Sequence, residues 1–256
     1  MSVALAHSVE GAGPAVVLAS SLGTTREMFA GQRTPLARDH TVISYDHRGH
    51  GESPAPPGRY TIAELGGDVL ALLDGLSVAR ASFVGVSLGG MVGLWLAANA
   101  PERIDRLIVI CSSAHPGSPE RWAERAATVL AAGSTAPIAD AVVGRWFSRE
   151  FAEREPGVVA AAKGWLLASP AVGYAGCCAA IEVLDLRPEL ERIAAPTLVI
   201  SAAQDESLPP AHGRVIASGV AGSRFELLPR GAHIVTIEEE AAVNEMIVRH
   251  LGGGDG

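Results

Sequence analysis

Short, nearly continuous runs of apolar residues recur along the chain, and they predict β-strands that are covered on both faces. Helical patterns lie between these runs, most clearly over residues 62–76 and over 91–100, where Pro101 ends the helix. This alternation predicts an α/β protein with a mainly parallel central sheet and helices on both of its faces. The strand-like runs cover residues 15–19, 41–45, 81–86, 106–110, 197–201 and 224–228.

The alternation stops between about residues 115 and 195, where Ala-rich helical stretches contain Trp122, Trp146 and Trp165. The strand pattern then resumes, and a closing helix covers about residues 238–251. We therefore expect a helical cap, residues 115–195, that is inserted into a core formed by residues 1–114 and 196–256.

The chain has 256 residues, of which 48% are hydrophobic, and this is enough for one large domain with a full core. Its formal net charge is -8 and its basic residues are scattered, so we expect no nucleic-acid partner. The N-terminus has no signal-peptide pattern and no apolar run reaches the length of a membrane span, which predicts a cytoplasmic protein without a membrane partner. The oligomeric state is left open.

The three cysteines are Cys111 and the neighbouring pair Cys177 and Cys178. Their number is odd and their spacing is not that of a metal site, which fits a reducing compartment better than a set of disulfides. We expect all three to be buried small residues.

The segment Gly85-Val-Ser-Leu-Gly89 matches G-x-S-x-G and lies between a predicted strand and a predicted helix. A tight turn from strand to helix holds the serine of this motif in a strained conformation, and the two glycines let neighbouring backbone pass. The same letters occur in ordinary turns, but the strand before and the helix after favour the catalytic interpretation. We therefore predict that Ser87 is the nucleophile of a serine hydrolase with an α/β-hydrolase fold.

A serine hydroxyl near neutral pH needs a base, and the base needs an acid that fixes its tautomer. Of the eight histidines, His233 alone lies in a loop after a late strand, so we predict that it is the general base. Asp205 follows the run 197–201 by a short loop, at the sheet edge where open α/β sheets place functional groups, and we predict that it is the acid. Glu206 is its rival, and capping of a helix is the alternative role of Asp205.

The negative charge that develops on the reacting oxygen needs two backbone amides. Leu88, directly after the serine, supplies one, and the loop after the run 15–19 supplies the other. That loop reads Ser20-Ser-Leu-Gly23, in which Leu22 occupies the donating position. We therefore predict an oxyanion hole formed by the amides of Leu22 and Leu88.

The glycine-rich segment Asp46-His-Arg-Gly-His-Gly51 invites a metal-site interpretation because it contains two histidines. Histidines three apart with no strong third ligand nearby do not make a zinc site. We expect a turn that Asp46 and Arg48 hold by local bonds, and we predict no metal.

In the predicted cap, Arg145 lies beside Trp146 and Phe147, and an arginine beside aromatic rings can hold a carboxylate over an apolar wall. We predict that Arg145 and Trp146 bind substrate, and we rank Arg121 and Arg125 below them. The alternative for Arg145 is a solvated arginine on an amphipathic helix.

Six segments together resemble the 3-oxoadipate enol-lactonases, and the likeness runs from about Leu18 to the closing helix, cap included. This resemblance implies an α/β-hydrolase with a helical cap that opens a small anionic enol-lactone to 3-oxoadipate in aromatic catabolism (the β-ketoadipate pathway), without cofactor or metal. It places the family's nucleophile, acid and base on Ser87, Asp205 and His233. The segments are 21–24 (SLGT), 45–51 (YDHRGHG), 60–62 (YTI), 86–91 (VSLGGM), 100–103 (APER) and 164–166 (GWL).

Two positions depart from the family pattern. Ser20-Ser21 stands where the family more often has Asn-Ser, and His233 is followed by Ile-Val-Thr-Ile where a Leu-Ala-Asn type of run is commoner. Neither departure touches the triad, but both bear on the shape of the pocket.

Two rival functions follow from the same residues. An esterase or a carbon–carbon-bond hydrolase would use the same triad on another substrate, because fold and triad do not determine the chemistry. A binding protein would keep the pocket without turnover, and the intact triad counts against it.

Overall fold

The structure is a computed structural model that describes residues 2–253. Within these residues, seven strands form a single sheet in the order β1-β3-β2-β4-β5-β6-β7. Strands β2 to β7 run parallel to one another, and β1 pairs antiparallel with β3 at one edge. The strands are β1 (His7–Glu10), β2 (Ala15–Ala19), β3 (Thr41–Tyr45), β4 (Ala81–Val86), β5 (Ile104–Ile110), β6 (Thr197–Ala202) and β7 (Arg224–Leu228).

The six predicted strands are all present, and the mainly parallel sheet is confirmed. The run predicted to begin at residue 106 begins two residues earlier, at Ile104. The sequence analysis missed β1 because three of its four residues, His-Ser-Val-Glu, are polar and the strand alternates between exposed and half-buried positions. Such an edge strand carries no continuous apolar signal.

Helices follow most of the strands. The helix α2 packs against α3, and α1 packs against α11. Right-handed connections between parallel strands put these two pairs on opposite faces of the sheet. The helices are α1 (Ala30–Leu36), α2 (Ile62–Gly75), α3 (Leu88–Asn99), α4 (Pro119–Ala132), α5 (Ala139–Val143), α6 (Arg149–Arg154), α7 (Pro156–Ala168), α8 (Ala171–Glu182), α9 (Pro210–Gly219), α10 (Val235–Glu238) and α11 (Glu240–Leu251).

Two helix predictions need correction. The helix predicted over 91–100 begins at Leu88, because the turn at Ser87 leads directly into it. The predicted closing helix is interrupted at Glu239, whose φ of -120° and ψ of 44° lie outside the helical region. The interruption leaves α10 as a separate turn between the loop of His233 and the last helix.

The helices α4 to α8 fall between β5 and β6, in the segment where we predicted the cap. In this segment α4 packs along α8, and α5 packs on α7. The division of the chain into core and cap stays a prediction. In the described range no single helix is long and apolar enough to cross a membrane, and only the pair α7 and α8, bent by 93°, passes by length and composition.

Candidate active site

Ser87 lies on the turn between β4 and α3, at the carboxyl edge of the sheet. Its φ of 55° is unusual for a residue other than glycine, and it is the strained conformation that the motif predicts. Two bonds brace this conformation: the Ser87 amide donates to the carbonyl of Ile110 at 2.9 Å, and the Ser87 carbonyl accepts from Ser112 Oγ at 2.7 Å. The end of β5 and the residues directly after it therefore hold both main-chain polar groups of the serine.

The two glycines of the motif sit where the backbone passes closest. A Cβ atom on Gly85 would lie 2.3 Å from the Gly89 carbonyl group, and one on Gly89 would lie 2.1 Å from the carbonyl oxygen of Ala19. Both distances are far inside van der Waals contact, so an alanine at Gly85 would push the start of α3 away from β4, and one at Gly89 would push it away from β2. The steric interpretation of the motif is confirmed.

Asp205 and His233 form a buried pair. Asp205 lies after β6 and His233 after β7, and their Oδ2 and Nδ1 atoms are 2.9 Å apart. An ionised carboxylate only accepts hydrogen bonds, so Nδ1 carries the proton and Nε2 is left with its lone pair. The other carboxylate oxygen accepts from the amides of Ser207 and Leu208, which fixes the orientation of the acid. Asp205 does not cap α9, whose N-cap residue Pro209 has no side-chain cap; its two amide bonds hold the loop before that helix.

Ser87 and His233 line the same cavity, but no hydrogen bond joins them within residues 2–253. Hydrogen bonds between a catalytic serine and its base are often long until substrate binds, so this geometry is compatible with a triad. The structure brings together the three side chains that the sequence analysis selected. Glu206, the rival acid, lies in a cleft on the far side of Asp205 with Pro209 and Pro210.

The loop that carries His233 is fastened on two sides. Glu238 accepts from the amide of Ala232 at 3.0 Å and from the amide of Ser148 at 3.1 Å, so one carboxylate bridges this loop to the segment before α6. The amide of Ile234 donates to the carbonyl of Trp146 at 2.8 Å. The base is therefore anchored to the segment in which we predicted substrate-binding residues.

The loop after β2 lies beside Ser87, and two buried histidines hold it. His47 Nε2 donates to the carbonyl of Ser20 at 3.0 Å, and His50 Nε2 accepts from the amide of Gly23 at 2.9 Å. The same Ser20 carbonyl accepts from the amide of Gly89 at 3.1 Å. Between these fixed points lies Leu22, the predicted oxyanion donor.

The amides of Leu22 and Leu88 belong to residues that are almost fully buried. Within residues 2–253 neither amide donates to a protein acceptor. Leu88 is the first residue of α3, where an amide has no partner inside the helix. Both N–H groups are thus available for an oxyanion, which is the arrangement that the sequence analysis predicted.

Burial keeps both loop histidines neutral. It lowers the pKa of His47 to about 3, with the charge of His50 adding to the effect, and it lowers the pKa of His50 to about 4. A neutral His50 has one acceptor nitrogen, which the amide of Gly23 requires. The two histidines, which the sequence analysis expected to sit in a simple turn, are supports of the predicted oxyanion loop.

The expected local bond at Asp46 is present, and longer-range pairs add to it. Asp46 accepts from the amide of Glu52, six residues away, and it also pairs with Arg26. Arg48 forms a buried bidentate pair with Asp68 of α2, at 2.6 and 2.7 Å. The turn is therefore tied to the helix layer as well as to itself.

A cavity of about 710 Å³, a volume that includes its opening to solvent, lies between the carboxyl edge of the sheet and the helices α4, α5 and α8. Ser87, His233 and Leu22 form its floor. Its opposite wall carries three arginines and three aromatic side chains: Arg121, Trp122, Arg125, Arg145, Trp146 and Tyr174. The predicted substrate-binding residues Arg145 and Trp146 thus face the predicted nucleophile across the cavity.

The three arginines form no salt bridge within the described residues. Burial lowers the pKa of Arg145, and the neighbouring charges of Arg125 and Arg121 lower it further, while Glu206 acts weakly in the opposite direction. Arg125 stacks over the ring of Trp122 at 4.7 Å. This positive cluster, named here the arginine wall, suits an anion that enters the cavity. Arg121 and Arg125, which the sequence analysis ranked low, belong to it with Arg145.

Trp146 is buried, and Tyr174 is completely buried. The sequence analysis did not select Tyr174, because a single tyrosine in the Ala- and Gly-rich stretch of α8 looks like an ordinary core residue. Only its position over the oxyanion loop distinguishes it.

The cysteines are free and buried, as expected. Burial raises the pKa of Cys178 to about 12 and raises that of Cys111 and Cys177 further, so all three stay protonated thiols. Residues 2–253 contain no group of three or more His, Cys, Asp or Glu side chains arranged to hold a metal ion.

Comparisons with known proteins place the chain in a family. Residues 14–240 match the family model described as alpha/beta hydrolase fold. 3-Oxoadipate enol-lactonase 2 of Acinetobacter baylyi is 40% identical over 91% of this chain and 87% of its own length. The crystal structure of the enol-lactonase from Burkholderia xenovorans LB400 superposes with a TM-score of 0.94 at 42% identity, covering 97% of this chain and 96% of that one.

A third relative carries another name. RutD of Pseudomonas syringae, provisionally named as a carbamate hydrolase, is 33% identical over 88% of this chain and 89% of its own length. It shares the hydrolase fold but is less similar than the enol-lactonases. The chain is a hydrolase of the alpha/beta-hydrolase family and belongs, within that family, to the 3-oxoadipate enol-lactonases.

Proposed function

We propose that this protein hydrolyses the lactone ring of 3-oxoadipate enol-lactone to give 3-oxoadipate. The observation that carries the proposal is the arginine wall, whose three arginines form no salt bridge within residues 2–253 and face Ser87 and His233 across one cavity. A small lactone with a carboxylate side chain matches both halves of this cavity, since the ring reaches the serine while the carboxylate meets the arginines. The names of the relatives support the same substrate.

The first half of the reaction forms an acyl-enzyme. Ser87 Oγ attacks the lactone carbonyl, and His233 Nε2 accepts the serine proton while Asp205 stabilises the imidazolium. The amides of Leu22 and Leu88 donate to the oxyanion of the tetrahedral intermediate. Its collapse breaks the ring ester bond, and the leaving enolate takes the proton that His233 removed from Ser87, which leaves His233 neutral and gives an enol that relaxes to the ketone.

The second half releases the product. A water molecule gives a proton to His233 and attacks the acyl carbonyl, and the same two amides stabilise the second tetrahedral intermediate. Collapse of this intermediate returns the proton to Ser87 Oγ and frees the second carboxylic acid. The net reaction adds one water molecule across the ester bond and needs no redox partner.

Arg145 and Trp146 supply the specificity in this proposal. Arg145 binds the substrate carboxylate through its guanidinium, and the buried ring of Trp146 forms the apolar wall beside it. The substrate is thus held by groups that take no part in bond breaking. This separation predicts that the two functions respond differently to mutation.

A second candidate is the hydrolysis of another small anionic ester or carbamate by the same triad. The similarity to RutD is the observation that favours it. The arginine wall recognises the charge rather than the ring, so it fits such substrates too. A comparison of kcat/KM for the enol-lactone with kcat/KM for other small anionic esters and carbamates distinguishes the two candidates.

The test follows the ultraviolet absorbance of the enol-lactone with the wild-type protein and with Ser87→Ala. We expect rapid loss of absorbance with the wild type and a rate at least about 10³ times lower with the variant. A wild-type kcat/KM for the lactone below that for a simple aryl ester or a carbamate would contradict the proposal. Labelling of Ser87 by an activated phosphonate separates an active hydrolase from a binding protein.

We also propose that the protein acts in the cytoplasm, in aromatic catabolism. Three buried free cysteines suit a reducing compartment, and the names of the relatives support the pathway. Measured growth of a deletion strain on an aromatic acid that yields this lactone tests the second part.

A further inference from the structure

Tyr174 carries a buried hydroxyl that none of the catalytic steps uses. The residue is completely buried, and its Oη has no hydrogen-bond partner within residues 2–253. A buried hydroxyl without a partner is costly, so a native protein rarely keeps one without a use for it. Tyr174 shares this property with Tyr45, so the position of each residue decides whether its hydroxyl can meet a ligand.

The position of Tyr174 brings its side chain to the wall of the active cavity. The residue lies on α8 and lines the cavity that contains Ser87 and His233. A Cβ atom on Gly23, in the predicted oxyanion loop, would lie 3.2 Å from the Tyr174 ring, and the ring centroid is 6.4 Å from that of His50. The ring thus covers the oxyanion loop from the side opposite the sheet.

The charges around Tyr174 indicate which chemical group its hydroxyl can bind. Arg125 and Arg145 both act on the phenol and lower its pKa, but burial dominates and raises it well above its usual range. The hydroxyl therefore stays protonated and can donate. The guanidinium of Arg125 lies close enough to the phenol to lower its pKa, but the two groups do not meet in full hydrogen-bond geometry. A phenol donor beside a guanidinium is a pair that one carboxylate satisfies at the same time.

We infer that Tyr174 is a specificity-determining residue whose hydroxyl donates a hydrogen bond to the substrate carboxylate, beside Arg125 of the arginine wall. The inference rests on the proposed function, since it concerns the carboxylate of the proposed lactone. Tyr174 takes no part in bond breaking. It acts through the affinity for an anionic substrate.

The experiment compares the wild type with Tyr174→Phe, which keeps the ring over the oxyanion loop and removes only the hydroxyl. The substrates are the enol-lactone and its methyl ester, in which the side-chain carboxylate is masked and the reacting ring is unchanged. We expect KM for the lactone to rise roughly tenfold to a hundredfold, as for the loss of a hydrogen bond to a charged group, with kcat nearly constant. KM for the methyl ester should change less than about threefold.

Tyr45→Phe is the matched control. Tyr45 also has a completely buried hydroxyl without a partner in the described structure, but it lies on β3 and does not line the cavity. Its variant should leave KM for both substrates unchanged. Calorimetric titration with 3-oxoadipate adds a binding measurement, in which Tyr174→Phe should weaken the product as it weakens the lactone.

The outcomes separate two failures. If the wild type opens the lactone but Tyr174→Phe keeps its KM and its affinity for 3-oxoadipate, the inference is wrong and the proposed function stands. Equal losses on the lactone and on its methyl ester would also overturn it, because they would indicate a packing role. If the wild type does not open the lactone, the proposed function and the inference fail together.

Discussion

The floor and the wall of the active cavity are built in opposite ways. On the floor, hydrogen bonds fix the groups that position the triad and the oxyanion loop: Asp205 is held by two amides and His233, and the Ser20 carbonyl by His47 and an amide. On the wall, Arg145 has no salt bridge within residues 2–253, and the hydroxyl of Tyr174 has no partner there. The floor is held in place before the substrate binds, with the amides of Leu22 and Leu88 left open for the oxyanion, whereas these two side chains of the wall are left without such bonds.

This difference teaches where each property of the enzyme resides. A group that must stabilise a transition state works best when its position is fixed beforehand, and the floor has this property. A group that must select a substrate needs free hydrogen-bonding capacity, and the groups of the wall have this capacity. We therefore expect floor variants to slow all substrates alike and wall variants to discriminate between charged and neutral ones.

The largest effect is expected for Asp205→Asn on the floor. The amide no longer fixes the imidazole tautomer or stabilises the imidazolium, so kcat should fall by roughly 10⁴-fold. KM should change little, and the loss should be equal for the enol-lactone and its methyl ester. Stopped-flow and steady-state absorbance measure kcat for both substrates. A loss of kcat confined to the anionic substrate would contradict the distinction between floor and wall.

The next effect concerns the stability of the floor at low pH. The folded pKa values of His47 and His50, about 3 and about 4, lie below the usual 6.5, so the unfolded chain binds more protons below pH 6.5. The contribution of the two neutral histidines to the free energy of unfolding is complete above about pH 6.5. It is lost as the pH falls toward 4 for His50 and 3 for His47, at about 1.4 kcal/mol per pH unit for each histidine. Urea unfolding at pH 7 and pH 5 measures the free energy of unfolding.

The variant His50→Gln isolates one of these histidines. Glutamine keeps an acceptor for the amide of Gly23 but does not titrate, so the loss of stability between pH 7 and pH 5 should be smaller by about 2 kcal/mol. Identical pH slopes for the variant and the wild type would show that His50 is not held neutral by burial.

A smaller effect is expected for Arg145→Gln on the wall. Loss of the guanidinium should raise KM for the enol-lactone roughly tenfold, with kcat nearly constant and the methyl ester unaffected. Arg149→Gln is the matched control, because Arg149 lies on α6 with an exposed side chain that pairs with Glu153. Equal changes in KM for both substrates would indicate that Arg145 has a structural role and does not recognise the carboxylate.

The smallest effect is expected for Arg121→Gln, at the outer end of the arginine wall. Arg121 is exposed, so water and salt screen its charge, and KM for the lactone should rise only about twofold to threefold. The increase should disappear at roughly 0.5 M salt, where the screening length is short. A salt-independent effect as large as that of Arg145→Gln would place the carboxylate at the outer end instead.

The fold and the three triad positions could be predicted because their signals are local. Ser87 lies in a motif whose glycines are required, because a Cβ atom added at either one would lie 2.1 to 2.3 Å from backbone atoms. Asp205 follows the apolar strand β6, and His233 follows β7, which carries two charged residues but is the last strand along the chain. Chain order then links the three without knowledge of distances. Their catalytic roles remain predictions until activity is measured.

The remaining parts depend on contacts between distant segments. The roles of His47 and His50 require the loop after β2, some 27 residues away, and Tyr174 meets Gly23 only through the packing of α8 over the sheet. The strand β1 is polar and lies at an edge, so its pairing with β3 leaves no periodic signal. These contacts between distant segments leave no pattern in the sequence.

The hydrogen bond from the Ile234 amide to the Trp146 carbonyl has a consequence for how this scaffold diversifies. Both partners are main-chain atoms, so the bond is indifferent to the side chains at either position. The residues that select the substrate can therefore drift during evolution while the backbone beside the base keeps its alignment. A main-chain bond of this kind therefore allows substrate preference to change while turnover is kept.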